Sequence, residues 1–229
     1  MIKFKNLLFI VLFASFCLSC KKDKGNNPDI VLDIDGNSYN VVQIGSQFWM
    51  KENLKTTKYR DGSLIPTSLT DDIWKGVRYG AFSIYDNNME YGKQYGYLYN
   101  FYAVIDPKCL CPTGWHIPSY TDWIILRDFL GGEDLSGEKL KAVSPLWQNQ
   151  SIEKDQFGFS ALPGGRRYYD GNYINLGTRA QFQSSTPFQG SASTGFLVWV
   201  VQIDSNRPQM VLNNLPQGNN GASVRCIKD

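Results

Sequence analysis

Histidine is nearly missing from this 229-residue sequence, which has one, beside four methionines and five cysteines. A single imidazole excludes any site built on two, and with it most zinc enzymes. Charge of one sign is not in excess either: 23 Lys+Arg face 21 Asp+Glu, so bulk charge cannot recruit nucleic acid. After the apolar N-terminus no run approaches the length of a bilayer-spanning helix, and no repeat of solenoid period recurs. No internal segment is rich enough in Pro or Ser to mark a domain boundary. What is present is 42% hydrophobic residues, 14% aromatics, 21 Gly and 10 Pro. That mix excludes a disordered polymer and predicts one loop-rich domain cored on Trp, Tyr and Phe.

The N-terminus has a different character. Lys3 and Lys5 precede an apolar run from Leu7 to Phe16, which reads as a secretory signal over residues 1–19. Ser19 before Cys20 resembles a bacterial lipoprotein cleavage box, although Cys17 stands where such boxes prefer Leu. Cys20 is therefore the predicted lipidation site, carrying acyl chains such as palmitate, and more than one chain gives a stable anchor. Lys21 to Pro28 are polar and charged, so residues 20–29 form a tether and residues 30–229 the domain. The expected location is extracytoplasmic, at the outer membrane, with the membrane as a partner through the lipid. Removing residues 1–19 takes Lys3 and Lys5 with it and leaves 21 basic against 21 acidic side chains.

Three cysteines remain in the domain, Cys109, Cys111 and Cys226, an odd number for an oxidising compartment. One disulfide and one thiol is the simplest outcome. Cys109 and Cys111 share a strand face, so either can reach Cys226. A zinc site would need all three to converge with His116, and Cys-x-Cys lacks the usual knuckle spacing.

Along the body, Ile30, Leu32 and Ile34 alternate before Asp35-Gly36-Asn37, and Tyr39, Val41, Val42 and Ile44 follow, which predicts a hairpin. Gly45-Ser46 then turns the chain into Gln47-Phe48-Trp49-Met50. The clearest helix runs over about 119–130, with Ser119 as cap, Asp122 in the capping-box position, Trp123, Leu126, Phe129 and Leu130 at helical spacing, and Gly131-Gly132 as the stop. A second helix is predicted over about 136–143. Strands are predicted over 196–203 and 223–227. Trp49, Trp115, Trp123 and Trp147 are assigned to the core.

Five segments occur in an order that carries a resemblance. They are Trp49-Met50-Lys51-Glu52-Asn53-Leu54, Tyr95-Gly96-Tyr97-Leu98-Tyr99-Asn100, Cys111 through Ser119, Gly158 through Gly165, and Ser223-Val224-Arg225-Cys226. Over about residues 33–229 the chain resembles the Fibrobacter succinogenes major paralogous domain, a family of secreted and lipid-anchored bacterial proteins. Two departures are visible: Gln181-Phe182-Gln183 stands where the family tends to carry aromatics, and Ala222 where Phe is frequent. The family pattern is in turn similar to the C-type lectin-like fold and its formylglycine-generating-enzyme relatives. That likeness implies an α+β domain of antiparallel strands and long loops, with neighbouring termini, a closing terminal strand and a variable loop region on one face. It also implies a Cys111–Cys226 disulfide, because in that fold a terminal-strand Cys pairs with one near the middle.

Candidate sites follow from chemistry. His116 lies in a Gly-Trp-x-x-Pro turn with no nucleophile specified nearby, so it reads as a turn residue rather than a general base. A formylglycine-type enzyme would need a reactive Cys pair that a disulfide and one thiol do not supply. Lectin calcium triplets are absent; Asp86, Asn87, Asn88 and Glu90 form one oxygen cluster and Asp71-Asp72 another, each read as solvated loop because calcium needs six or more converging oxygens. No metal or cofactor is expected. Arg166-Arg167-Tyr168-Tyr169 offers two guanidinium forks beside two rings, a binding face for glycan or protein, with Trp74 and Tyr85 as further candidates. The plainer alternative is that alternate side chains of this segment point inward and pack. The expected function is non-catalytic binding of a polysaccharide or surface protein by a cell-surface or periplasmic lipoprotein. The alternatives are a structural surface protein without a soluble ligand, and an enzyme.

Overall fold

The structure is a computed structural model that describes residues 30–149, 155–188, 197–216 and 218–229. The signal, Cys20 and the tether lie outside the described residues. In chain order the elements are β1 (Ile30–Leu32), β2 (Ser38–Ile44), β3 (Gln47–Met50), α1 (Asp71–Gly76), β4 (Phe82–Ser83), a 3-10 turn (Tyr85–Asn87), α2 (Met89–Tyr95), β5 (Leu98–Tyr99) and α3 (Phe101–Val104). There follow β6 (Trp115–His116), α4 (Tyr120–Phe129), α5 (Glu133–Leu140), β7 (Gly164–Arg167), β8 (Tyr173–Leu176), β9 (Arg179–Phe188) and β10 (Leu197–Asp204). The last three are β11 (Met210–Pro216), β12 (Ala222–Ser223) and β13 (Ile227–Lys228). The fold class is α+β, with mostly antiparallel sheets.

The first sheet has the order β1-β2-β3-β13-β6. Its opening hairpin forms where the alternation predicts, and Asp33 ties the turn by accepting from the Asp35 and Asn37 backbone amides at 3.0 and 2.9 Å. Gly36, at φ +82°, takes the left-handed position that the turn requires. The second sheet has the order β11-β10-β9-β12-β5-β4, and the β7–β8 hairpin stands apart as a two-stranded ribbon. The predicted terminal strand over 223–227 is instead two short strands, one in each large sheet. Between them the carbonyls of Val224 and Cys226 accept from the amides of Leu54 and Met50, so this segment stitches the sheets together.

Two apolar clusters fill the interior. One gathers Tyr39, Met50, Tyr99, Phe101, Trp115 and Val224; the other gathers Trp49, Trp123, Trp147, Phe159 and Phe182. The rings of Trp49 and Trp123 meet at 4.8 Å, and all four tryptophans assigned to the core are buried. Cys111 and Cys226 are disulfide-bonded inside the first cluster, and Cys109 is the free cysteine among the described residues. The closing strand β13 thus lies beside β3, and the disulfide ties the same segment to the middle of the chain.

Helix α4 begins with the predicted capping box, Ser119 Oγ accepting from the Asp122 amide at 3.2 Å and Asp122 Oδ2 from the Ser119 amide at 2.8 Å. Helix α5 differs from the prediction of about 136–143. It starts at Glu133 because Gly132, at φ +96°, reverses the chain and places Glu133 and Asp134 in the favourable first turn. It ends at Leu140 because Lys141 bridges to Ala161 in extended conformation. Among the described residues no helix is long and apolar enough to cross a membrane.

Candidate functional site

The six aromatic and basic candidates do not form an exposed face. Trp74 is fully buried, its Nε1 donating to the Tyr168 carbonyl at 3.1 Å, and Tyr85 is buried against Tyr91 and Tyr173. Arg167 is also buried. Its guanidinium lies 4.4 Å from the Trp74 ring and donates to the carbonyls of Gly171 and Leu69 and to Asp71 Oδ1 at 2.7 Å. This arginine locks the β7–β8 turn onto α1. Only Tyr168 and Tyr169, half-buried with rings 4.4 Å apart, reach the surface.

Arg166 is 8% exposed, and its Nε and Nη1 are shielded without a hydrogen-bond partner. Burial lowers its pKa, Tyr168 works the other way, and the nearby Arg179 lowers it further. A buried cation so poorly compensated is a liability to folding. Arg166→Met is therefore expected to stabilise the protein by about 1–2 kcal/mol, read as a higher urea midpoint. A destabilisation of that size would contradict the unpartnered state.

Four of the six residues of the oxygen clusters are engaged within the protein. Asn88 Oδ1 caps α2 by accepting from the Glu90 amide, Glu90 pairs with Lys93, Asn87 Oδ1 accepts from the Tyr173 hydroxyl, and Asp71 holds Arg167. Among the described residues no group of three or more His, Cys, Asp or Glu could hold a metal ion. His116 sits at the surface on β6, its Nδ1 2.7 Å from Asp229 and its Nε2 3.4 Å from Asp122. With both ring nitrogens facing carboxylates, neither is placed to take a proton from a nucleophile.

A cavity of about 250 Å³ lies elsewhere, between the end of β3, the end of α2, the segment before β7 and the loop joining β12 to β13. Its lining includes Lys51, Asn53, Gly96, Ser160 and Arg225, drawn from four of the five segments that carry the family resemblance. Asn53 is the knot. Its Nδ2 donates to the Tyr95 carbonyl at 2.8 Å and to Ser223 Oγ at 3.2 Å, while its Oδ1 accepts from Arg225 Nη2 at 2.6 Å and Nε at 3.1 Å. Arg225 Nη1 donates to the Phe159 carbonyl, and the guanidinium stacks 4.2 Å from the Phe159 ring. Burial pulls the Arg225 pKa down to about 9, which leaves it cationic at neutral pH.

Gly96 makes the cavity possible. It adopts φ +76°, and a Cβ there would lie 2.7 Å from Asn53 Cβ and 2.9 Å from the Leu54 carbonyl. The end of α2 can thus rest on the strand end. Ser160 is held by Asp155, which accepts from its amide and its hydroxyl, both at 2.7 Å. The rim carries Lys51, Lys55 and Lys93, opposed by Glu52, whose two oxygens accept from the Asn40 amide and side chain. The cavity therefore presents ammonium and amide donors around a fixed guanidinium. The hydroxyl in the lining, Ser160 Oγ, donates to the Asp155 carboxylate.

Sequence reasoning quoted these segments only as marks of resemblance. The available signal was that four of them contribute polar or cationic side chains. It also passed over the contact of Tyr120, Phe188 and Trp199, three half-buried rings in which Trp199 lies 4.6 and 4.9 Å from the other two. A family model described as Fibrobacter succinogenes major domain matches residues 42–228. No curated protein and no solved structure gives a match.

Proposed function

The chain belongs to the Fibrobacter succinogenes major domain family, and on that premise we propose an extracytoplasmic lipoprotein whose domain binds a glycan or a surface protein without catalysing a reaction. The observation that carries this reading is the convergence of four family segments on one cavity walled by hydrogen-bond donors. A C-type lectin-like arrangement agrees with the terminal strand inserted beside β3 and with the Cys111–Cys226 link. No cofactor is needed for such binding. In this reading Cys20 carries the lipid, residues 20–29 are the tether, and the domain stands at the outer membrane.

Two measurements test it. A glycan array probed with the detergent-solubilised lipoprotein should give discrete positives; silence across the array, with cell attachment retained, would leave a structural role instead. Cys20→Ala should lose acyl mass and leave the membrane fraction, and an unchanged fraction without acyl mass in the wild type contradicts the anchor.

A further inference from the structure

Charge is unevenly placed in a chain whose mature part carries 21 basic and 21 acidic side chains. Lys51, Lys55, Lys93 and Arg225 meet at the cavity described above, where Glu52 is the one carboxylate among the described lining residues and Asp155 stands behind Ser160. Glu52 does little to cancel them, because both its oxygens already accept from Asn40. Of the three lysines only Lys93 is ion-paired among the described residues. Its partner Glu90 is a fully surface-placed neighbour, the two side chains being 68% and 74% exposed, and such a pair exchanges readily for another anion. Arg225 is 1% exposed and spends its donors on Asn53 and Phe159, so it acts as a fixed positive charge beneath the cavity, weakly screened by salt.

The lining also excludes a kind of recognition. Among the described residues no aromatic ring borders the cavity, so a neutral sugar finds no flat face there to stack on. What remains is attraction to negative charge, with Gln94 and Ser160 at the border for hydroxyls. The volume, about 250 Å³, lies just below the roughly 300–1,000 Å³ of drug-sized sites and suits a single acidic unit of a longer chain.

We infer that this cavity recognises the anionic group of an acidic polysaccharide, such as a uronic-acid carboxylate, with Lys51 and Lys55 as its principal contacts. The inference rests on the binding-module reading and names its ligand class. The full-length lipoprotein in detergent micelles is titrated with polygalacturonate, with neutral amylose, with poly-glutamate and with inorganic phosphate. Polygalacturonate should bind in preference to amylose, more weakly as salt rises. The pair Lys51→Gln/Lys55→Gln should lose about tenfold in affinity at unchanged melting temperature, and Lys51→Arg/Lys55→Arg should keep it. Equal binding of amylose, or no loss in the glutamine pair, overturns the inference while leaving a binding module. Equal binding of poly-glutamate overturns the glycan as ligand in favour of an acidic protein. Lysine-dependent binding of phosphate alone, with no polymer bound, sinks both the polysaccharide and the glycan reading. Silence toward all four probes sinks the inference, while the module reading stands or falls on the glycan array.

Discussion

Replacing Cys111 and Cys226 together by alanine is expected to cost about 4–5 kcal/mol of stability, the loop-closure entropy the disulfide removes from the unfolded chain. The two residues are 115 apart in sequence, so the closed loop is long and the effect near the upper end of what one disulfide delivers. For a domain of this size that corresponds to a fall of roughly 10–20 °C in melting temperature by calorimetry. The single variant Cys109→Ser is the control, since that cysteine is free and should leave the transition in place. A melting temperature that survives the double replacement would mean the unfolded chain is already constrained by other contacts. Arg60 is one source of residual order to examine there, because its guanidinium grips the carbonyls of Cys111, Pro112 and Trp115 at 2.9–3.0 Å.

The neighbouring position should be as sensitive for a different reason. Arg225→Ala is expected to destabilise by about 3–5 kcal/mol in urea unfolding. The substitution removes a fully buried side chain from between Phe159 and Phe182 and leaves Asn53 Oδ1 and the Phe159 carbonyl without their donor. Arg225→Lys should recover only part of the loss, because a single ammonium cannot serve two separated acceptors in the fixed geometry of a guanidinium. Asn53→Ala combined with Arg225→Ala should cost less than the two single losses added, with a coupling of about 1–3 kcal/mol, since both act on one hydrogen-bonded knot. Strict additivity would show that the contact carries no energy of its own.

Local signals were the ones the sequence displayed openly. Helix α4 was legible because Ser119 and Asp122 cap it within four residues and Trp123 and Leu126 face inward at helical spacing. The first hairpin was legible because Asp35-Gly36 falls between alternating runs. The disulfide pairing was not legible from spacing, because the strand expected over Cys109 and Cys111 left both able to reach Cys226; the segment is irregular, with Cys109 at φ +59°, and the family likeness separated the two. Helices α1, α2 and α3 were invisible because distant contacts hold them. Asn100, for example, caps α3 through the Ala103 amide while its side chain also binds Ala81 and Tyr79. For Arg166 and Arg167 a binding face and alternate inward packing both stood open, because a strand by itself hides neither face. Both are buried here, Arg167 against Trp74 and Arg166 beside Tyr168 and Arg179. The cavity escaped notice because its walls come from positions up to 174 residues apart, Lys51 and Arg225, and only the folded sheets bring them together.

The place of β13 governs when this domain can exist at all. Ile227 lies opposite Trp49 on one side and His116 on the other, so the sheet that begins at β1 has a gap in its middle until the last strand arrives. A nascent chain therefore cannot complete its first half and wait. Strands β1 to β3 stay an unfinished hairpin stack, with edges open to wrong partners, for as long as the C-terminal segment is withheld. Completion is a single late event that joins residues far apart along the chain, which predicts slow folding, read as a refolding rate in the range of non-local β proteins.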